Sequence, residues 1–239
     1  MEVKLLGMVP EVEKIIAASA KSTRSESADK IVDNLTLEEA RRYIGGILAM
    51  GHESISEYAF YIFSVTGVSR VLTHQLVRHR IASYLQMSGR YTDLTDADYI
   101  VPPEIRRNEK ALKIYQKGLE DAKQRYTDLL EMNIKKEDAR FVLPDSISTN
   151  IVVGMNARAL NNFLGFRLCN TAQWEIRELA EKILKIVKEK NPSLFWAVHR
   201  PCVIRGVCPQ KPGCNYDKTP AFKLEREKYL KGYPHSGVS

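Results

Sequence analysis

The chain has 239 residues, of which 44% are hydrophobic and 27% are charged. This composition predicts a globular protein and excludes disordered, collagen-like and low-complexity classes. Lysine and arginine number 36 against 29 aspartates and glutamates, and the net charge of +7 favours a polyanionic partner such as nucleic acid or a phosphorylated small molecule. Without a signal-peptide pattern or the roughly 20 apolar residues of a membrane span, we expect a cytoplasmic protein with no membrane partner.

The first half of the chain shows hydrophobic periodicity that changes from helix to strand and back. A helix is predicted over residues 36–50, with a capping box formed by Thr36 and Glu39 and an end at Gly51. The residues that follow, 52–54, should lie on a turn. Two further elements are expected: a buried strand over 58–65, ended by Gly67, and a helix over 68–79.

The second half of the chain is predicted to be mostly helical. The elements are a helix over 108–131, a short helix over 137–143 halted by Pro144, a strand over 149–155, a helix capped by Asn156, and a helix over 171–190. Arg167 should fall in the gap between the last two helices. Since no repeat or linker divides the chain, we expect one α+β domain over residues 1–239, with 199–239 as an irregular C-terminal extension.

The most unusual segment runs from Arg78 to Tyr91 and contains three arginines, a histidine, a glutamine and two serines. We call it the signature segment. Planar guanidinium groups suit phosphate and imide recognition, so this composition indicates an anionic ligand. A solvated basic helix end is the alternative interpretation.

A second polar cluster lies in the C-terminal half, at the predicted starts and ends of helices. Its members are Arg140, Asn156, Arg158, Asn161, Asn162 and Arg167. Helix N-termini present free backbone amides that bind phosphates or ring carbonyls. A plain N-cap is an equally good interpretation of Asn156.

The motifs of these segments carry a resemblance to a known family. Arg78-His79-Arg80, seven further residues, and then Ser88-Gly89-Arg90-Tyr91 resemble the signature of flavin-dependent thymidylate synthases. The resemblance covers roughly residues 10–190. Its other parts are residues 51–54 with Glu57, Gln75, residues 138–144, residues 155–164, Arg167 and residues 172–176.

This resemblance implies a homotetrameric α+β enzyme with sites between subunits, which makes dTMP from dUMP and has no nucleic-acid partner. Methylenetetrahydrofolate would supply the carbon and NADPH would reduce the FAD. Matching positions assign FAD contacts to Ser54, Glu57, Arg78, His79, Arg80, Gln86, Asn156, Arg158 and Asn162. They assign dUMP contacts to Gln75, Arg78, Gln86, Ser88, Gly89, Arg90, Arg140 and Arg167.

The catalytic residue implied by the resemblance is Arg167. We hypothesise that it lies beside the N3/O2 edge of uracil, where its charge would stabilise negative charge developing on the ring. The protein mainly orients three ligands and requires no nucleophile of its own. Ser88 is expected to be a phosphate or ribose donor, because the sequence places no acidic residue nearby to complete a triad.

Several positions depart from the family pattern. Leu85 stands where many members have a polar residue, Gln86 replaces a frequent glutamate, and Thr171 occupies a position where a histidine can contact the flavin. Gln86 can still form hydrogen bonds but cannot act as a base. Among the histidines, His79 is expected to contact flavin or folate. For His52, a ligand contact and a structural role in the turn are equally good interpretations.

The C-terminal cysteines raise the question of a metal. His199, Cys202, Cys208 and Cys214 could bind zinc, but their spacing contains no C-x₂-C pair. Free thiols in the extension are favoured, and no metal is expected. Two alternative functions stay open: a flavin enzyme acting on another nucleotide, and a basic nucleic-acid-binding module.

Overall fold

The computed structural model describes residues 1–232 and shows an α+β protein, as the sequence predicts. The strands are β1 (Glu2–Met8), β2 (Phe60–Ser69), β3 (Ser83–Gln86) and β4 (Ser148–Asn156). The helices are α1 (Val12–Ser22), α2 (Ala28–Asn34), α3 (Leu37–Ala49), α4 (Arg70–Leu76), α5 (Pro103–Arg106), α6 (Glu109–Glu131), α7 (Lys136–Ala139), α8 (Ala157–Arg167), α9 (Trp174–Lys190), α10 (Pro192–Phe195), α11 (Pro201–Arg205) and α12 (Pro220–Lys231). Short 3₁₀ helices lie at Glu53–Tyr58, Arg140–Val142 and Tyr216–Lys218. In residues 1–232, no helix is long and apolar enough to cross a membrane.

The strands form one antiparallel sheet in the order β1-β2-β4-β3. At one end of the central pair the Ala157 amide donates to the Ala59 carbonyl at 2.7 Å, and at the other end the Arg70 amide donates to the Ile147 carbonyl at 3.3 Å. Alternate residues of β2 and β4 are buried, which is the burial pattern of a sheet covered on one face.

The chain divides into two compact units, and each of the four strands contributes residues to both. The first unit comprises residues 1–4, 64–80 and 84–153, and the second comprises 5–63, 81–83 and the chain from Gly154 onward. The single-domain interpretation stays a prediction.

The first unit has a core built on the long helix α6. Leu94, Tyr126, Ala139 and Ile147 are buried together there. The Leu94 amide donates to the Tyr126 hydroxyl at 3.4 Å, so the chain after the signature segment is attached to α6.

The second unit has a core of helices that includes a buried carboxylate. Glu13 of α1 is buried and accepts hydrogen bonds from Arg41 at 3.0 Å and from the Ser193 hydroxyl at 2.5 Å. Tyr61 of β2 is also buried and donates to Asn191 at 2.8 Å. These bonds satisfy polar groups that would otherwise be costly to bury.

Several elements follow the sequence prediction closely. The capping box of Thr36 and Glu39 is present at the start of α3, and Gly51 follows that helix at φ 85°. Asn108 caps α6 and Asn156 caps α8, each through its side-chain oxygen. Local side-chain chemistry therefore sets these helix starts.

Other boundaries differ from the prediction. Strand β2 continues through Gly67, at φ 65°, as far as Ser69, and the Ser69 hydroxyl then caps α4 by accepting from the Leu72 amide at 3.0 Å. Helix α4 therefore covers only part of the expected range of 68–79. Arg167 is the last residue of α8 and not a gap residue. The C-terminal extension is less irregular than expected, because it contains α11 and α12.

Candidate functional site

The signature segment begins where α4 ends and lies mainly in the first unit. The hydroxyl of Tyr84 lies 2.9 Å from the Leu76 carbonyl and 2.7 Å from the His79 carbonyl, and donates to both. Burial raises the pKa of Tyr84 to about 12, so the hydroxyl keeps its proton at neutral pH. This contact fixes the turn that carries the basic residues 78–80.

Gln86 is held by two threonines that the sequence reading did not single out. Its side-chain nitrogen donates to the hydroxyls of Thr73 at 3.1 Å and Thr149 at 3.4 Å. Both threonines are buried, on α4 and β4 respectively. Because both amide hydrogens are directed at these hydroxyls, Gln86 can offer a ligand its carbonyl oxygen only. The neighbouring Leu85 is 77% exposed.

Four of the residues expected to contact dUMP lie near one another around Glu137 in the first unit. Arg90 pairs with Glu137 at 2.8 Å, and Arg140 donates from Nε to the Glu137 carbonyl at 3.1 Å. A Cβ added at Gly89 would lie 3.3 Å from the Arg140 Cδ, so the absence of a side chain there allows close approach. The Ser88 hydroxyl accepts from the Arg90 amide at 3.3 Å. Two guanidinium groups from distant segments therefore bond Glu137, Arg90 through the carboxylate and Arg140 through the backbone carbonyl, and their two positive charges exceed the one negative charge of this residue.

The remaining residues predicted from the signature lie on α4 and just beyond it. Gln75 donates to the Val71 carbonyl at 3.4 Å, one helical turn earlier. Arg78 and Arg80 are exposed, whereas His79 is half-buried and its backbone amide donates to the Leu76 carbonyl at 3.0 Å. The structure thus presents both guanidinium groups of this turn to solvent.

The second unit contains a cavity of about 440 Å³ beside two residues expected to contact FAD. Ser54 and Glu57, from the 3₁₀ helix after α3, line one side together with Ile55 and Tyr58. The other side is lined by residues of α1 and the residue following it: Ile16, Ser19, Ala20 and Thr23. The volume lies in the range of small-molecule sites, and the lining combines apolar side chains with a few hydroxyls. Helix α1 was not predicted, although its apolar residues recur at helical spacing.

Glu57 is linked to a third predicted FAD residue. Arg158 of α8 donates to Glu57 at 2.5 Å, and its Nε lies 4.0 Å from Glu53. The hydrogen bond to Glu57 raises the pKa of Arg158, so the guanidinium is charged at every relevant pH. Arg158 is still about half-exposed, and most of its donors remain available to an anionic ligand.

The other predicted residues of α8 have different surroundings. Asn156 accepts from the Ala159 amide at 2.9 Å and is the N-cap of the helix. Asn162 is exposed, whereas Asn161, which was not assigned to a ligand, donates to the Leu194 carbonyl at 3.2 Å. Arg167 is half-buried at the helix end. The structure therefore groups Ser54, Glu57 and Arg158 most closely.

Two further positions noted in the sequence have ordinary local contacts. The Thr171 hydroxyl lies 3.2 Å from the Cys169 sulfur, and His52 is exposed as the residue before the 3₁₀ helix. The sequence reading missed Thr73, Thr149 and the role of Glu137. Buried threonines give no signal in a single sequence, but Glu137 was detectable as an acidic residue three positions before Arg140.

The residues present fit a flavin nucleotide. A dinucleotide cofactor needs an apolar recess, hydroxyl donors and a cation for its phosphates. The cavity supplies the first two, and Arg158, paired to a cavity residue, supplies the third.

Comparison with known proteins gives consistent matches. The family model described as thymidylate synthase complementing protein matches residues 4–193. A flavin-dependent thymidylate synthase from Sulfurisphaera tokodaii is 44% identical over 207 residues, covering 85% of this chain and 80% of the relative. The enzyme from Pyrococcus abyssi is 38% identical over 232 residues, which cover 92% of this chain and 92% of the relative. The enzyme from Clostridium tetani is also 38% identical, over 227 residues that cover 88% of this chain and 91% of the relative.

Proposed function

The chain belongs to the thymidylate synthase complementing protein family, and on that basis we propose that it converts dUMP to dTMP with methylenetetrahydrofolate as carbon donor and NADPH-reduced FAD. The observation that carries the proposal to this chain's own residues is the arrangement around Glu137. Arg90 bonds the carboxylate and Arg140 the backbone carbonyl of this residue, Arg140 lies beside Gly89, and guanidinium groups form the bidentate contacts that suit a nucleotide phosphate.

FAD would be held by Ser54, Glu57 and Arg158 of the second unit, with Asn156, Asn162, Arg78, His79, Arg80 and Gln86 as further contacts. When bound, the flavin supplies the hydride that completes the methyl group. The protein's part is to fix the donors around it. Asn156 does this indirectly as well, since it caps the helix that carries Arg158.

The uracil ring is the centre of the proposed chemistry, and Arg167 would stabilise negative charge at its N3/O2 edge. Gln75, Gln86, Ser88 and Arg78 would complete the dUMP contacts. Ser88 is a donor and not a nucleophile in this scheme. A serine nucleophile needs a base at its hydroxyl, whereas the Ser88 oxygen accepts from the Arg90 amide.

A homotetramer is part of the proposal, with sites completed between subunits. Its support is an apolar strand face in the second unit, where Leu6, Phe60 and Ile62 are 59%, 40% and 38% exposed. Exposed apolar side chains on adjacent strands are typical of an interaction surface. Light scattering after size-exclusion chromatography would measure the mass, and a monomer at micromolar concentration would contradict this part.

The experiment that tests the function follows flavin absorbance under anaerobic conditions. We expect the FAD-loaded protein to be bleached by NADPH and to reoxidise only when dUMP and methylenetetrahydrofolate are both present, with dTMP formed. A protein that holds no flavin but binds DNA with a steep salt dependence would instead support the nucleic-acid alternative.

Two variants test the division of roles. Arg167→Ala should retain the fold and the flavin while losing most dTMP formation, and Arg106→Ala, at an exposed position on α5, is the control. Arg90→Ala should weaken dUMP binding far more than FAD binding. Normal turnover in Arg167→Ala, or equal losses of both ligands in Arg90→Ala, would contradict the assigned roles.

A further inference from the structure

All four cysteines of the chain line a single small cavity in the second unit. Cys169 follows α8, Cys202 lies on α11, and Cys208 and Cys214 belong to the segment 206–215, which we call the cysteine loop. The four are thus drawn from three separate parts of the sequence, and none is in a disulfide. The cavity measures about 10 Å³, which is the space of about one water molecule or ion.

The cluster differs from the one that sequence spacing suggests. His199 does not line the cavity, because its Nδ1 lies 3.4 Å from Glu225 and its ring packs edge-on against Tyr229 with centroids 5.3 Å apart. Cys169, 33 residues before Cys202 in the sequence, takes its place. The candidate ligands are therefore four cysteine sulfurs that the tertiary structure brings together. Ligands assembled in this way do not need a C-x₂-C pair in the sequence.

The cysteine loop packs through Cys208 against the buried cluster of Cys202, Val203 and Phe222. It contains no helix or strand, and its aliphatic residue Val207 is 60% exposed. The Cys208 amide donates to Asp217 at 3.1 Å, and a Cβ added at Gly213 would lie 3.0 Å from the Cys208 sulfur. The loop thus turns tightly around a thiol and not around an apolar side chain. Loops of this kind are commonly fixed by a metal or a disulfide.

We propose that Cys169, Cys202, Cys208 and Cys214 bind one Zn²⁺ ion in a tetrahedral structural site. Four thiolates are a standard closed zinc set, with Zn–S bonds of about 2.3 Å. Each thiol releases its proton to solvent as its bond to zinc forms, and no electron is transferred. The size of the cavity favours a single ion over an iron–sulfur cluster.

Metal binding would complete the site by closing the loop. Within residues 1–232, no three His, Cys, Asp or Glu side chains already stand in a ligating arrangement. Cys169 lies next to a helix and Cys202 lies on one, so we expect Cys208 and the exposed Cys214 to be the ligands that shift when the metal binds. A four-sulfur site has no open position for substrate, so the ion would attach the C-terminal segment to α8 and take no part in chemistry.

The test is the metal content of the full-length protein. The protein is prepared with its thiols reduced, dialysed against a weak chelator, and analysed for zinc, iron and acid-labile sulfide. We expect about one zinc per chain, released in proportion as an organomercurial titrates the thiols. Cobalt replacement should give the visible bands of tetrahedral thiolate coordination, measured on flavin-free protein.

Variants identify the ligands. Cys214→Ser is the main one, because an exposed cysteine that binds nothing can be replaced with little effect on folding. It should lose the zinc and lower the Tm, and chelation should lower the Tm of the wild type but not of this variant. Cys169→Ser should also lose zinc, whereas His199→Gln, the matched control, should retain it.

Three results would overturn the proposal. One is equal zinc content in the wild type and Cys214→Ser after dialysis, which would mark the metal as adventitious. Another is stable disulfides among these cysteines in reduced preparations. The third is iron and sulfide in place of zinc, which would replace the single ion with a cluster.

Discussion

Glu225 of α12 offers a sharp test of how the C-terminal segment is held. Its carboxylate accepts from Arg200 at 2.8 and 3.0 Å, from the Tyr216 hydroxyl at 2.6 Å, and lies 3.4 Å from His199. The side chain is 21% exposed. We therefore expect Glu225→Gln to destabilise the protein more than any exposed change on the same helix.

The magnitude follows from the pKa of Glu225. Burial would raise this pKa, but the hydrogen bonds from His199 and Tyr216 and the charge of Arg200 outweigh burial and lower it from 4.5 to about 2. A shift of this size corresponds to about 3 kcal/mol of stability at neutral pH. For a chain of this length, that is a decrease in Tm of about 6–12 °C.

The stabilisation that Glu225 contributes depends on pH. Because the folded pKa lies below the unfolded value, the contribution is fully present above pH 4.5 and is lost as the pH falls toward 2. The difference between wild type and Glu225→Gln should therefore fall to about half by pH 3. Thermal or urea unfolding of both proteins between pH 7 and 3 measures it.

A control lies two residues along the same helix. Glu227 is exposed and pairs with Lys231 one turn later, so Glu227→Gln should leave the Tm unchanged. The reasoning fails if Glu225→Gln melts within a degree of the wild type at pH 7. It also fails if the difference between the two stays constant down to pH 3.

Three other variants test contacts described above. Thr36→Ala removes the capping box shared with Glu39 and should cost about 1 kcal/mol in unfolding measurements, with the exposed Glu38→Gln as a near-neutral control. Tyr84→Phe removes the hydroxyl that bonds the His79 and Leu76 carbonyls, of which Leu76 keeps the His79 amide as a donor, and should cost about 1 kcal/mol; an unchanged Tm would show that the hydroxyl bonds are not formed. Gly89→Ala pushes on Arg140 by a few tenths of an ångström, so the KM for dUMP should rise while FAD affinity is retained; equal effects on both would contradict the assignment.

Much of the fold could be predicted because its signals are local. The capping box at Thr36 and the cap at Asn156 mark helix starts correctly, since each depends on residues within one turn, and the helix predicted from 108 starts at the N-cap Asn108. Strand β1 and helix α1 were missed, although each carries its own apolar spacing. The end of β2 was placed too early because Gly67 was read as a terminator, whereas the strand tolerates its positive φ and continues to Ser69.

Only the site residues that belong to the family motif could be predicted from the sequence. The motif assigns Arg90 and Arg140 to the same ligand, and in the structure both bond Glu137, one through its carboxylate and the other through its backbone carbonyl. It does not contain Thr73 and Thr149, whose hydroxyls determine which atom of Gln86 remains available. These two contacts join residues 13 and 63 positions apart, and spacing in one sequence carries no information about them.

For the cysteines too, spacing in the sequence does not show which residues meet in the fold, and here it argues against a site that the fold assembles. Spacing alone groups Cys202, Cys208 and Cys214 with the nearby His199 and argues against a metal, because metal motifs are recognised by short ligand intervals. The fold replaces the histidine with Cys169 from the end of α8 and commits His199 to Glu225. A ligand set assembled from three segments has no fixed interval, so the absence of a C-x₂-C pair excludes one class of zinc site and not zinc itself. It follows that the tail after residue 199 is not a passive extension: the Glu225 carboxylate joins α12 to the start of this segment, and the proposed four-thiol site would attach the segment to the end of α8.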